Sequence, residues 1–344
     1  MRNRLFMTNF FNWLTLQQHN LKSFSILRII YGVALLALYV PSMSDRSLLW
    51  GEASFWVDPE ASRRGYWTFD TVFNKDSAVL FDLAYFAFLA IIFVFILGWR
   101  TRIVAPIMLL FLVAMHSNNN YMLNGGDTLL RVTLIFMLFS NLSEHYSLDS
   151  LRQKRRSKAT QQIVPAHVSN AAHNTGLVLS CFQIIVVYTT SGVWKLLGEE
   201  WLDGTAVFYA LRIDNFMLYP ALNELIWQST QFIQIATFIS LWVQTLFVVL
   251  ILWRPTRIFT LVSLIFMHLG IGLLLGLWTF SLVMIALDML FIRDKTWSAI
   301  LGWIKGTKLY GYVRSVPGDR RMMSHNDASD LVRSAKLGEE HQSN

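Results

Sequence analysis

TGLVLSCFQIIVVYTTSGVWKL, residues Thr175 to Leu196, is a run of 22 residues with a single charge, Lys195, next to its end. As a helix at about 1.5 Å per residue it would be about 33 Å long, enough to cross a hydrocarbon core of about 30 Å. The lysine falls where such a helix would leave the bilayer. A cation at that depth is either an anchor that snorkels to the headgroups or a reactive amine.

The rest of the chain repeats the pattern. It has 344 residues, 54% hydrophobic and 15% charged, with a mean hydropathy of +0.42, too few charges to cover a water-exposed surface. Further apolar stretches run from Ser25 to Ser42, Val79 to Trp99, Ile103 to Ser117, Asp127 to Ser140, Ser229 to Trp253, Ile258 to Leu277 and Phe280 to Ile292. The fold class expected is therefore all-α, a polytopic transmembrane helical bundle of about eight spans. Residues 25–293 would form the transmembrane domain, with a cytoplasmic segment at 1–24 and a cytoplasmic tail at 294–344. The first apolar run lacks a small-x-small cleavage pattern at Val40 to Met43, so it reads as an uncleaved span.

Charge sets the expected orientation. With the N-terminus inside, the inner segments hold 21 of the 29 Lys and Arg and the outer segments six, while Arg28 and Arg131 lie within spans. Basic loops stay inside, so the arrangement is N-in and C-in, and the net charge of +7 expresses topology and not nucleic-acid binding. The basic run from Arg152 to Lys158 is equally compatible with anionic lipid. The segment from Asp45 to Ser77 mixes aromatic and charged residues like interfacial helices on the outer leaflet. Trp297 to Tyr312 is mildly amphipathic, and Ser315 to Asn344 is polar enough to be disordered. The localisation expected is the cell membrane, multi-pass, and in a Gram-negative host the inner membrane.

Polar groups inside spans mark candidate functional residues. His116 closes the third span at its outer end, Asn124 and Asp127 open the fourth, Arg131 follows one turn deeper, and Lys195 closes the fifth, also outside. A shared, outward-facing polar cavity accounts for this common level. Simpler roles stay open. Asp127 can be an N-cap with Arg131 as its i+4 partner, Lys195 a helix-end cation, His268 a packed histidine and Gln183 an interhelical hydrogen bond. No His-x-x-x-His or carboxylate spacing supports a metal, the lone Cys181 allows no intrachain disulfide, and no phosphate loop or nucleophile elbow is present.

Several motifs in order carry a resemblance: Ser25 to Gly32, Leu97-Gly98-Trp99-Arg100-Thr101-Arg102, His116 to Asp127 with Arg131, Ser147-Leu148-Asp149, then Gln183, Tyr188, Gly192 to Leu196, Trp201 and Gly204, and His268 with Phe280 and Met284. Together they resemble the HTTM (horizontally transferred transmembrane) domain, related to the membrane domain of vitamin K-dependent gamma-carboxylase. The resemblance implies that Lys195 matches the lysine that serves as base in oxygen-dependent oxidation of vitamin K hydroquinone. It implies a lipophilic quinol as cofactor; the shared level of the polar groups, and not the resemblance, adds Asp127 and Asn124 to Lys195 as catalytic candidates and Arg131, His116, His268 and Gln183 as cofactor-binding candidates. An amine at an apolar wall keeps its neutral, basic form within reach.

The chain departs from the carboxylase pattern twice. Asparagine is retained before the fourth span, at Asn118 to Asn120 or Asn124, but the histidine that follows it in carboxylases is not, and a short polar tail is expected where carboxylases carry a large soluble domain. Two functions remain: a carboxylase-like or quinol-oxidising enzyme, and a non-catalytic membrane protein that binds, matures or exports a peptide or lipid, or confers immunity.

Overall fold

The computed structural model describes residues 2–51, 72–73, 77–155 and 164–313, whose regular elements are all helices with no strand among them. The principal helices are α1 (Arg2–Leu16), α2 (Leu21–Tyr39), α3 (Ala78–Leu97), α4 (Thr101–Asn118), α5 (Gly125–Met137), α6 (Ala166–Lys195), α7 (Thr230–Thr245), α8 (Arg254–Leu275), α9 (Trp278–Asp288) and α10 (Asp294–Val313). Each of the eight apolar stretches holds one of these. Four helices, Leu21–Met43, Ala78–Leu97, Ala166–Lys195 and Arg254–Leu275, are long and apolar enough to cross a membrane by themselves. Most of the expected outer interfacial segment and the polar tail lie outside the described residues, as does the basic run beyond Arg155.

Residues Met1–Asp294 form one compact unit and Lys295–Asn344 another, which begins within α10. In the first unit α2 packs on α3 and α9, and α9 also packs on α5 and α8; α6 packs on α1, α5 and α7. Bundles of this kind draw their contact faces from small residues. A Cβ on Gly176 would sit 2.6 Å from the Phe136 carbonyl oxygen on α5, and one on Gly192 would sit 2.4 Å from the Thr245 nitrogen on α7.

Helix ends leave unpaired amides and carbonyls, and here distant side chains satisfy many of them. The Asp294 carboxylate accepts from the Leu21 and Lys22 amides at the start of α2, and Asp149 accepts from the Arg100 and Thr101 amides at the start of α4. Arg28, fully buried, donates to the Phe95 and Ile96 carbonyls that end α3 and to the Tyr146 carbonyl. The Ser25 to Gly32, Leu97 to Arg102 and Ser147 to Asp149 motifs thus meet in one knot. A charged donor to backbone is worth roughly 1.5–3 kcal/mol per bond, so Arg28 is a structural residue.

α6 starts nine residues earlier than the apolar run predicts. Its first turns carry His167, Asn170, His173 and Asn174, which low hydropathy hides from a span search; Asn170 and Asn174 bond α1, and His173 bonds the turn that follows it. Asn174 donates to the Trp13, Leu14 and Gln17 carbonyls and accepts from the His19 amide. His173 accepts the Asn141 amide at Nδ1, so its Nε2 carries the proton and donates to the His19 carbonyl. The N-terminal segment is therefore packed along the bundle through α1.

Candidate functional site

Lys195 ends α6, and the chain turns back at once: the Gly198 amide returns to the Lys195 carbonyl and the Trp201 amide to Gly198. That turn lays the Trp201 ring over the amine, with Nζ 4.3 Å from its centroid. Ser240 and Gln244, one turn apart on α7, face the same amine. Nζ donates to Gln244 Oε1 at 2.6 Å and to Ser240 Oγ at 3.0 Å. Ser191 also donates to Gln244 Oε1, at 3.1 Å. Ser240 Oγ and Gln244 Nε2 both donate to the Met267 sulfur, at 3.2 and 3.3 Å. The hydroxyl proton of Ser240 is thus directed to sulfur, which leaves its lone pair for the amine. Every polar partner of Lys195 is uncharged.

Two turns before Lys195, on the same face of α6, stands Tyr188. Its hydroxyl donates to Asp288 Oδ1 at 2.8 Å and lies 3.0 Å from His268 Nε2. A phenol has one proton, so with that proton on the carboxylate side Nε2–H of His268 is the donor to the tyrosine oxygen. His268 Nδ1 and Asp288 Oδ2 are buried and have no partner. Phe247 packs on the Tyr188 ring at 4.8 Å, and Phe280 meets the His268 ring edge-on at 5.7 Å. Met267, beneath the lysine, is the chain neighbour of His268, so the two groups share one seam between α6, α7, α8 and α9.

The residues expected around the fourth span are arranged differently. Asn124 caps α5 by accepting the Gly126 and Asp127 amides, while Asp127 accepts the Asn124 amide at 2.8 Å, a reciprocal capping box. Asp127 and Arg131 form no ion pair within 4.0 Å; among the described residues Arg46 with Asp82 is the one such pair. Arg131 is nevertheless within electrostatic range of both Asp127 and His116. His116 is buried and neither ring nitrogen has a partner. Gln183 donates to the Leu129 carbonyl and accepts from Thr133, tying α6 to α5.

One residue joins the two regions. The Gly126 position lies 2.9 Å, measured from an added Cβ, from the Phe280 Cα, and the Phe280 ring covers His268. The start of α5 therefore abuts the start of α9 beside the seam, without a bond from Asn124, Asp127 or Arg131 to Lys195. No group of three His, Cys, Asp or Glu gathers among the described residues as a metal site would.

Sequence reasoning missed Asp288 as a candidate. It is the lone carboxylate in the last apolar run, and the rule that an ionisable residue within a span is functional by default was enough to flag it. Ser240 and Met267 carried no such signal, since serine and methionine are ordinary in apolar helices. Gln244 is likewise a residue type that ordinarily bonds between helices, and in the sequence Trp201 belongs only to the family pattern.

The HTTM domain model matches residues 4–297. The uncharacterized protein YitO of Bacillus subtilis (strain 168) is 27% identical over 230 residues, 64% of this chain and 69% of that one. No solved structure gives a significant match. Motif order, helical architecture and a match over nearly the whole chain lead to one assignment: the protein belongs to the HTTM domain family.

Proposed function

We propose that the protein is an eight-span membrane enzyme, N-in and C-in, in which Lys195 serves as the base toward a lipid-soluble substrate. The observation that carries this reading is the uncharged cage of Lys195, made by Ser240, Gln244 and the Trp201 face. An amine whose partners are neutral breaks no ion pair when it gives up its proton, whereas a cation kept only for anchoring gains from a carboxylate or a headgroup. Basic residues concentrated in the segments taken as inner support the orientation.

The residues present fit a phenolic head group. Trp201 lies on the amine and Phe280 on His268, and His268 Nδ1 is a buried acceptor without a partner among the described residues. A lipophilic quinol of the vitamin K hydroquinone kind would supply reducing equivalents and an acidic hydroxyl there. The chain's own part is to receive a proton at Nζ, hold the amine in place through Gln244 and Ser240, and keep water off it with Trp201. Asn124 and Asp127 act by fixing the start of α5 against Phe280.

A second reading has its own observation. The ammonium has three protons, and Gln244, Ser240 and the indole face take all three directions, so Lys195 can also be a latch between α6 and α7 in a non-catalytic protein that handles a peptide or lipid. Lys195→Arg separates the two: Arg keeps the charge but cannot act as a base. We expect the Arg variant to insert and fold but to lose the phenotype of the intact gene in complementation. Mass spectrometry of co-purified lipid with a quinol-oxidation assay identifies the substrate. A fully active Arg variant would remove the base and leave the latch.

A further inference from the structure

Asp288 is a carboxyl with 0% exposure at the end of α9, inside the bundle, and no cation lies within ion-pair distance of it among the described residues. Among the described residues its one hydrogen-bond partner is Tyr188, whose hydroxyl also lies beside His268 Nε2. The other titratable group of the seam is Lys195, two turns beyond Tyr188 on α6. A network built only for packing would satisfy its buried atoms, because each unmet polar atom costs free energy. Here an atom at each end is unmet, Nδ1 of His268 and Oδ2 of Asp288.

We propose that Tyr188, His268 and Asp288 form a buried proton store, with His268 Nδ1 as its port and the Asp288 carboxyl as its holding group. The chain of bonds has two forms of equal connectivity. In the first, His268 Nε2–H donates to the Tyr188 oxygen and the Tyr188 hydroxyl donates to the Asp288 carboxylate. A proton arriving at Nδ1 makes an imidazolium; Nε2 passes its proton to the tyrosine oxygen, and the tyrosine passes its own to Asp288 Oδ1. In the second form Asp288 is a carboxylic acid donating to Tyr188, which donates to Nε2, and His268 is neutral with its proton on Nδ1. One proton has entered, one carboxylate has become neutral, the imidazole has changed tautomer, and both hydrogen bonds have reversed direction. The reverse sequence releases it.

The store stands apart from the role given to Lys195, although it adjoins that residue through Met267 and could serve any proton-handling group lodged against Nδ1. Its test is infrared spectroscopy of the full-length protein in lipid nanodiscs, swept from acid to alkaline pH in H2O and D2O. A carboxylic-acid carbonyl band that falls as pH rises and shifts in D2O is expected in wild-type and Lys195→Arg protein alike. It should be missing from Asp288→Asn and moved in frequency in Tyr188→Phe, which removes its hydrogen-bond partner. A spectrum that Asp288→Asn leaves unchanged at every pH overturns the proposal. If that variant fails to accumulate, Tyr188→Phe decides: a displaced band supports the store, and an unmoved one ends it. Loss of activity in Lys195→Arg with the band intact would bear on the base alone.

Discussion

Replacing Gly192 by alanine tests how α6 and α7 hold the lysine. A Cβ at this position would lie 2.4 Å from the Thr245 nitrogen, 2.5 Å from its Cα and 2.6 Å from its Oγ1. Two of these three are backbone atoms, so no rotamer relieves the clash, and the helices must separate by about 1 Å to reach ordinary contact. Overpacking of this sort costs about 1–3 kcal/mol. The same movement, directed along the Lys195 to Gln244 bond, would stretch it from 2.6 Å to about 3.6 Å, beyond hydrogen-bond range. A bond to a charged group contributes roughly 1.5–3 kcal/mol. The better helix propensity of alanine returns about 1 kcal/mol. The balance is a net loss of about 1.5–5 kcal/mol, the sum of those ranges. The assay is thermal unfolding in detergent followed by size-exclusion chromatography, with Gly270→Ala as control, since nothing lies within 4 Å of a Cβ at Gly270. The control should match wild type or exceed it slightly. If Gly192→Ala melts with the control, the close approach of α6 to α7 is not what fixes the amine.

Arg28→Lys should destabilise almost as much as Arg28→Ala, by at least about 2 kcal/mol in the same melting assay, because one ammonium cannot reproduce a guanidinium fork reaching three carbonyls. Equal stability of Arg28→Lys and wild type would refute that capping role. Asp127→Ala should lose about 1 kcal/mol through its capping box; a variant that melts with wild type would contradict the cap. For topology, in a Cys181→Ser background, Glu224→Cys should react with an impermeant thiol reagent from outside intact cells and Arg152→Cys should not. Labelling at position 152 would invert the proposed orientation.

The sequence by itself determined the class of fold, and most of the helices lie where hydropathy put them, because a chain that must satisfy its backbone within lipid has few choices. Motif order was enough to identify the family. Hydropathy failed at the start of α6, where Asn170, His173 and Asn174 are polar for the sake of α1 and the turn that follows it and so carry no apolar signal. The site was legible only in part. Lys195 and His268 stood out as ionisable residues in apolar runs, but their level along the membrane normal suggested a grouping with Asn124, Asp127 and Arg131 that depth alone could not decide. Residues at equal depth can point to different seams of a bundle, and rotation about each helix axis is set by packing. Tertiary structure turned Asn124 and Asp127 into a helix cap and Gln183 into a tie between α5 and α6. It also placed Ser240, Gln244, Met267 and Trp201 around one amine, and Tyr188, His268 and Asp288 in one chain, from positions up to 100 residues apart. Such contacts join helices whose mutual register no local pattern encodes, and they exist only once small residues such as Gly192 let the helices close.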